Sequence, residues 1–220
     1  GVQTCALPIS HWVTNPSKDG PTYKARELMQ GIAEGTWTCG DPGVQYEDTI
    51  QRWHTCKTTG PINSSNPCSE YMFLDNSACN LASLNLMKFR RDDGSFDVER
   101  FQAAVEIFIT AQEILVDNSS YPTDRIARNS HLFRPLGLGY ANLGSLLMSL
   151  GLPYDSDEGR AIAGAITAIM HLHAYSQSAR IAEKIGGFEG FAQNRDAMLQ
   201  VVEMHRDAVK RIHPSCPDAL

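Results

Sequence analysis

The chain has 220 residues, 42% of them hydrophobic and 20% charged, which are proportions of a globular protein with enough length for one sizeable core or part of a larger one. Its formal net charge of −6 argues against nucleic acid or an anionic membrane as the main partner. No apolar run approaches the roughly 20 residues that span a bilayer, and no secretory signal pattern is visible.

The first ten residues, GVQTCALPIS, carry no helical or strand period. The string resembles one reading frame of a sequencing-library adapter, so residues 1–10 are expected to be foreign and residues 11–220 to be a piece of one native domain. Residues 22–34 read as a helix, with Thr22 as cap and Ala25, Leu28, Met29 and Ile32 as its apolar stripe. GTWTCGDPG at 35–43 should break it, and a short helix should follow through Ile50 and Trp53. Residues 55–68 are rich in Thr, Gly, Pro, Asn and Ser and read as loop. EYMFL at 70–74 and NLASLNLMKF at 80–89 are strand candidates on either side of DNSAC.

RRDDGS at 90–95 reads as a polar turn. Asp97 should cap a helix that carries Phe101, Val105, Phe108 and Leu115 on one face and ends at SSYPTD. YANLGSLLMSLG at 140–151 reads as a helix closed by Gly151. DSDE at 155–158 resembles a capping box, opening a helix with Ile162, Ile166 and Ile169 that stops at Gly186 and Gly187. A final helix is expected over roughly 194–211. The sum is a mixed α/β architecture, helices outside and short strands inside, without internal repeats.

The chemistry concentrates in NPCSE at 66–70. Asn66, Cys68 and Glu70 alternate, and Pro67 biases the backbone away from helix, so an extended loop tip would set an amide, a thiol and a carboxylate on one side. A carboxylate raises the pKa of a neighbouring thiol, which makes a poor nucleophile unless an imidazole or a helix N-terminus compensates. A sulfur radical needs no negative charge, and a nearby carboxylate can still take a proton from substrate. The grouping therefore favours radical chemistry over acyl transfer, although on composition alone a structural cysteine in an Asn-Pro turn is the better reading.

With Cys5 set aside, Cys39, Cys56, Cys68, Cys79 and Cys216 form no C-x-x-C pair and no disulfide framework, which fits a reducing, cytoplasmic setting. GLGYANLG at 137–144 has the wrong spacing for a dinucleotide loop and reads better as close packing. His171 and His173 should face different ways on their helix and share no metal. His54 and Cys56 are expected to pack or be solvated, and Cys39 and Cys216 to be structural or incidental.

INSSNPCSEYMFLDNSACNLASLNLMKF at 62–89 resembles the active-site finger loop of ribonucleotide reductases, in particular the class II, adenosylcobalamin-dependent type. YKARELM at 23–29, CGDPGVQYEDTIQRWHTC at 39–56 and LGLGYANLGSLLMSLGLPYDSDEGR at 136–160 agree, and the resemblance runs from about His11 to Leu220. Class I large subunits usually carry Leu in place of Pro67. The resemblance implies a ten-stranded α/β barrel with the finger loop through its centre. It implies Cys68 as carrier of a thiyl radical, Glu70 as the base for the 3′-hydroxyl, Asn66 as a hydrogen-bonding group on the sugar, and Cys79 as one of two cysteines that end as a disulfide.

Ser65, Asn66, Pro67, Cys68, Ser69 and Glu70 would line the substrate pocket. The implied cofactor is adenosylcobalamin, with no structural metal. The implied partners are a ribonucleoside diphosphate or triphosphate, a thioredoxin-like reductant and nucleotide effectors of the parent enzyme, with room for a homodimer and no nucleic acid or membrane. In the family the partner of Cys79 and the specificity-site loops lie upstream and a phosphate-binding turn downstream, so the chain is expected to be an incomplete catalytic subunit that is inactive alone. Three alternatives stand beside this: a class I-type large subunit, a thiol hydrolase pairing Cys68 with a distant imidazole such as His131, and a non-catalytic helical module in which NPCSE is only a turn.

Overall fold

The computed structural model describes residues 6–8 and 22–216. The chain divides into two units, Gly1–Glu47 and Asp48–Leu220. In the first, β1 (Ala6–Pro8) pairs antiparallel with β2 (Thr22–Lys24), Leu7 opposite Tyr23. Helix α1 (Ala25–Cys39) follows, starting after the extended backbone of Lys24. It passes through the expected break and stops at Gly40, whose φ of 79° suits glycine and whose N–H donates to the Thr36 carbonyl. Gly35 is tolerated inside the helix because the Asp41 carbonyl folds back against it, 2.9 Å from where a Cβ would sit. No residue of α1 is buried, so its apolar stripe is uncovered.

The second unit begins within α2 (Glu47–Arg52) and is a helix-rich α/β structure. Strand β3 (Asn80–Asn85) runs parallel to β4 (Leu136–Ala141), from Asn80 opposite Leu136 to Asn85 opposite Ala141. Parallel strands need a long crossover, and α3 (Val98–Asn118) and α4 (Asp124–Phe133) supply it. Helices α5 (Leu143–Ser149), α6 (Asp157–Ile185) and α7 (Phe191–Val209) complete the unit. Its main core joins Leu84 and Leu86 to Phe101, Val105 and Ile109 of α3, Leu146 and Leu147 of α5, and Ile162, Ile166 and Met170 of α6. Phe89, Phe96 and Phe101 form an edge-packed aromatic trio with centroids 5.0 to 6.1 Å apart. Burying each such ring stabilises the fold by about 1.5–3 kcal/mol.

Several local expectations hold for the reasons given. Asp97 accepts from the Arg100 N–H and starts α3, Ser156 accepts from the Gly159 N–H and starts α6, and Gly186 caps α6. Others are corrected. EYMFL is not a strand: apart from a single antiparallel bridge between Ser65 and Met72, its backbone is irregular. NLASLN forms β3, but LMKF turns into a 3₁₀ helix because the Asn85 side chain accepts from the Met87 N–H. Tyr140 and Ala141 belong to β4, not to the following helix.

The buried face of α3 is Phe101, Val105, Ile109, Gln112 and Val116, while Phe108 and Leu115 are 38% and 50% exposed. Phe101 and Val105 thus lie on the buried face as expected, but the stripe continues through Ile109, the polar Gln112 and Val116 instead of Phe108 and Leu115.

Candidate active site

Residues 66–69 close a β-turn in which the Ser69 N–H donates to the Asn66 carbonyl at 3.1 Å. Pro67 occupies the second position, where its fixed φ is favoured, and Cys68 the third. Ser69 then adopts φ +66°, which turns the chain back toward the Ser65–Met72 bridge. The tip is thus a turn and not the extended segment expected from alternate spacing. Its outcome for exposure is the same: Pro67, Cys68, Ser69 and Glu70 are all exposed. Asn66 is half-buried and faces inward, its side-chain oxygen accepting from the Tyr71 N–H at 3.0 Å. Ser65 Oγ donates to the Asn66 carbonyl at 2.8 Å.

From Tyr71 the chain runs to Cys79 through a second bonded turn. The Tyr71 hydroxyl lies 2.8 Å from Ser77 Oγ, Ser77 Oγ donates to the Leu74 carbonyl at 2.5 Å, and the Ala78 N–H donates to the buried Ser130 Oγ at 3.3 Å. Cys79 follows at the entrance to β3, half-buried. Burial, reinforced by the negative charge of Glu70, pushes its thiol from an ordinary value near 9 up to about 11. The Tyr71 hydroxyl is pushed up to about 12, mainly by burial and further by the charge of Cys79. The sequence reading set the Glu70 carboxylate against Cys68; the thiol on which the structure shows it acting is Cys79.

The base of this site is built from α3 and the sheet. Gln112 Nε2 donates to the Asn80 carbonyl and to the Gly137 carbonyl, each at 2.8 Å, and Asn80 Nδ2 donates to the Gln112 carbonyl at 2.7 Å. One buried amide thereby ties the first rungs of both parallel strands to the helix, directly after Cys79. Gly137 is required there: a Cβ would meet Leu81 Cδ2 at 2.4 Å and Cys79 Sγ at 2.7 Å. Of the glycines of GLGYANLG, Gly137 serves close packing, and between strands instead of helices; a Cβ at Gly139 or Gly144 would meet only ordinary contacts, 3.7 Å from Ser83 and 3.9 Å from Tyr154.

The structure therefore brings Glu70, Tyr71 and Cys79 within electrostatic reach and carries Cys68 on the exposed turn beside them. Sequence reasoning missed Tyr71, Ser77, Gln112 and Gly137. Gln112 had a legible signal, a polar residue in phase with the buried positions of α3.

Among the described residues, the imidazoles make their contacts elsewhere. His131 Nδ1 sits 3.5 Å from Asp117 and its ring packs edge-on against Tyr121. His54 is buried, with one ring nitrogen 2.9 Å from the Gly60 carbonyl and the other accepting from the Cys56 N–H, so it is a packed core histidine held neutral by burial. His171 packs against the ring of His205 at 4.0 Å, while His173 faces Glu106 at 3.8 Å, so the two do point apart. Among the described residues no cluster of three His, Cys, Asp or Glu could hold a metal ion, and no helix is long and apolar enough to cross a membrane.

The site is thus a turn bearing Cys68 and Glu70 that leads to Cys79 at the start of a parallel strand, in a helix-rich α/β unit. The chain belongs to the ribonucleotide reductase barrel-domain family, whose model matches residues 10–214. It is 58% identical over 212 residues to the vitamin B12-dependent ribonucleotide reductase of Rhodopirellula baltica, covering 96% of this chain and 20% of that protein. It is 49% identical to the enzyme of the same name from Agrobacterium fabrum, covering 90% of this chain and 16% of the relative. Identity is 33% to the vitamin B12-dependent ribonucleoside-diphosphate reductase of Mycobacterium tuberculosis, covering 85% and 27%. The chain thus spans about a fifth of the length of curated relatives it matches.

Proposed function

We propose that this chain is the finger-loop part of an adenosylcobalamin-dependent ribonucleotide reductase that converts ribonucleoside diphosphates to 2′-deoxyribonucleotides for DNA synthesis. The observation that carries the reading is the 58% identity across 96% of the chain to a protein named for that cofactor and reaction. The geometry supports it: one thiol is exposed on a turn, and a second, protonated thiol lies within reach of the same carboxylate. When bound, adenosylcobalamin supplies a carbon–cobalt bond that cleaves homolytically, a one-electron source that amino-acid side chains lack. The exposed Cys68 thiol fits that chemistry, because a sulfur holding an unpaired electron must reach substrate from a fixed turn.

Each residue then has one task. Cys68, as a thiyl, takes the 3′ hydrogen of the ribose. Glu70 accepts the 3′-hydroxyl proton. Asn66 orients the sugar, and the turn from Ser65 to Glu70 lines the pocket around it. Cys79, kept as a thiol, gives its proton to the departing 2′-hydroxyl, which leaves as water. Two electrons, and the hydrogen that replaces the hydroxyl at C2′, come from Cys79 and a second cysteine of the parent protein as they join in a disulfide; Glu70 returns its proton to O3′ and Cys68 returns the hydrogen to C3′. A thioredoxin-like protein reduces the disulfide for the next turnover. The strands β3 and β4 are read as two of the ten strands of the family's barrel, residues 1–10 as foreign, and residues 11–220 as native. Nucleotide effectors, a dimeric parent and the cytoplasm belong to the same reading.

The test uses the full-length parent enzyme with 3′-deuterated substrate. Cys68→Ser should abolish both release of the 3′ isotope and product. Cys79→Ser should retain isotope release while blocking repeated turnover with a thioredoxin-like reductant. Multiple-turnover activity in Cys68→Ser would remove the radical from that residue.

A further inference from the structure

We infer that Tyr71 is the positioning residue that locks Cys79 to the Cys68 turn: its backbone holds one end, its hydroxyl the other. The inference deepens the reading above, because it matters for catalysis only where Cys79 is the reducing thiol. Eight residues separate Glu70 from Cys79, and the intervening segment is irregular. No strand ladder or helix sets the distance between them, so side-chain bonds must.

Tyr71 makes two of these bonds. Its N–H donates to Asn66 Oδ1 at 3.0 Å, which ties it to the turn bearing Cys68. Its hydroxyl meets Ser77 Oγ at 2.8 Å, two residues before Cys79. The direction of the second bond follows from hydrogen counting. A serine hydroxyl has one hydrogen, and that of Ser77 is given to the Leu74 carbonyl at 2.5 Å. The Tyr71 hydroxyl is therefore the donor, and Ser77 accepts from Tyr71 while donating to the backbone.

The ring of Tyr71 is also packed, 6.1 Å from Phe73, whose own ring lies 5.9 Å from Phe133 of the smaller core cluster. The strut is thus anchored on packed aromatics, and it sets how closely Glu70 and the buried environment act on Cys79. Glu70 and Tyr71 are the titratable groups that the structure couples to Cys79.

A purely structural tyrosine and a positioning one differ in what they do to Cys79. The experiment measures iodoacetamide alkylation of Cys79 against pH, peptide by peptide, in the intact folded chain. Tyr71→Phe keeps the ring packing and removes only the hydroxyl. The expected result is a fall of the Cys79 midpoint from about 11 toward 9, read as a several-fold faster alkylation at pH 8.5. Ser77→Ala removes the same bond from the other side and should give the same change, and the double variant should add nothing. Ser77→Ala also carries the test if Tyr71→Phe fails to fold.

Tyr121→Phe is the control. It deletes another hydroxyl bond, to the Val116 carbonyl at 3.0 Å, and should leave the Cys79 profile where it was. An unchanged midpoint in Tyr71→Phe and Ser77→Ala, or an equal fall in Tyr121→Phe, would overturn the inference. In the parent enzyme Tyr71→Phe should lower multiple-turnover kcat at unchanged KM. A shifted Cys79 with untouched kcat would support the strut and count against the role proposed for Cys79, so the two failures are distinguishable.

Discussion

Cys68 and Cys79 lie eleven positions apart in one loop, yet the chain treats them in opposite ways. Cys68 occupies the third position of a proline turn, exposed, with its backbone fixed by the Ser69-to-Asn66 bond and the left-handed Ser69. Cys79 is half-buried at the mouth of β3, pressed against Gly137, with a nearby carboxylate and a desolvated environment that keep its proton on. Placement outward suits a sulfur that must reach a substrate atom. Burial with a held proton suits the role proposed for Cys79, to deliver a proton and, together with a second cysteine, two electrons only after the substrate has been activated. Glu70 lies two positions from Cys68 and acts through its charge on Cys79, so changes at Glu70 should separate the two environments most.

Glu70→Gln removes the charge and keeps the shape. In the parent enzyme, loss of a positioned base should lower kcat by about 10²–10⁴-fold. In this chain the same change should make Cys79 easier to ionise, since Glu70 is one of the two causes of its raised pKa. A variant with unimpaired turnover, measured by deoxyribonucleotide product, would show that Glu70 is not the base. Unaltered Cys79 alkylation would show that its charge does not reach the thiol.

The buried thiol alone gives the next largest effect. A pKa of about 11 against an ordinary 9 leaves about a hundredfold less thiolate at neutral pH. Alkylation of Cys79 should therefore be slow in the folded chain and rise to the ordinary rate in denaturant. The linkage has a definite sign. Between about pH 9 and 11 the unfolded chain releases this proton while the folded chain keeps it, so stability should fall as pH rises through that window. Tyr71, raised to about 12, extends the loss further up. Equal alkylation rates for Cys79 in folded and denatured protein at pH 8 would contradict this.

The scaffold behind Cys79 gives a smaller effect. Gly137→Val places branched carbon where Leu81 Cδ2 and Cys79 Sγ already sit within 2.7 Å of a Cβ. Overpacking of this kind costs about 1–3 kcal/mol. Leu81 is 65% exposed and can swing away, whereas the Cys79 side chain is short and half-buried. Urea denaturation should show the loss, and the Cys79 alkylation profile should shift with it. A variant as stable as wild type, with the thiol undisturbed, would mean that β4 does not press on Cys79.

Legibility in the sequence divided along the same line. The tip could be read because Pro67, Asn66 and Glu70 are residue types with strong local meaning, and the identity of the loop followed from its wording. The helix starts at Asp97 and Ser156 were legible for the same reason, since capping is local chemistry. The surroundings of Cys79 were not legible. β4 is one-third glycine and reads as loop until β3 lies beside it, and Gln112 looks like a surface residue until its amide is seen closing two strand rungs. EYMFL has strand composition, but the Asn66 side chain captures the Tyr71 N–H that a ladder would have used. Nonlocal contacts decided each of these, and a single sequence does not display them.

The smallest expected effect concerns the N-terminus and bounds the comparison from outside. Both thiols and every residue that holds them lie between residues 65 and 141, inside the unit Asp48–Leu220. The segment before residue 10 lies outside the span matched by the family, and Ala6–Pro8 pairs only with Thr22–Lys24 in the other unit. Three strand residues facing three others form a hairpin too small to be stable by itself. Removing Gly1–Ile9 should therefore change the unfolding free energy of the second unit by no more than about 0.5 kcal/mol, the range of neutral surface changes. The Cys68 and Cys79 alkylation rates should likewise stay where they are. The measurement is urea denaturation followed by the fluorescence of Trp53, which lies in the second unit against His205. A loss of several kcal/mol would make the segment native structure, and a change in either thiol would mean that the two environments are not set within residues 48–220 alone.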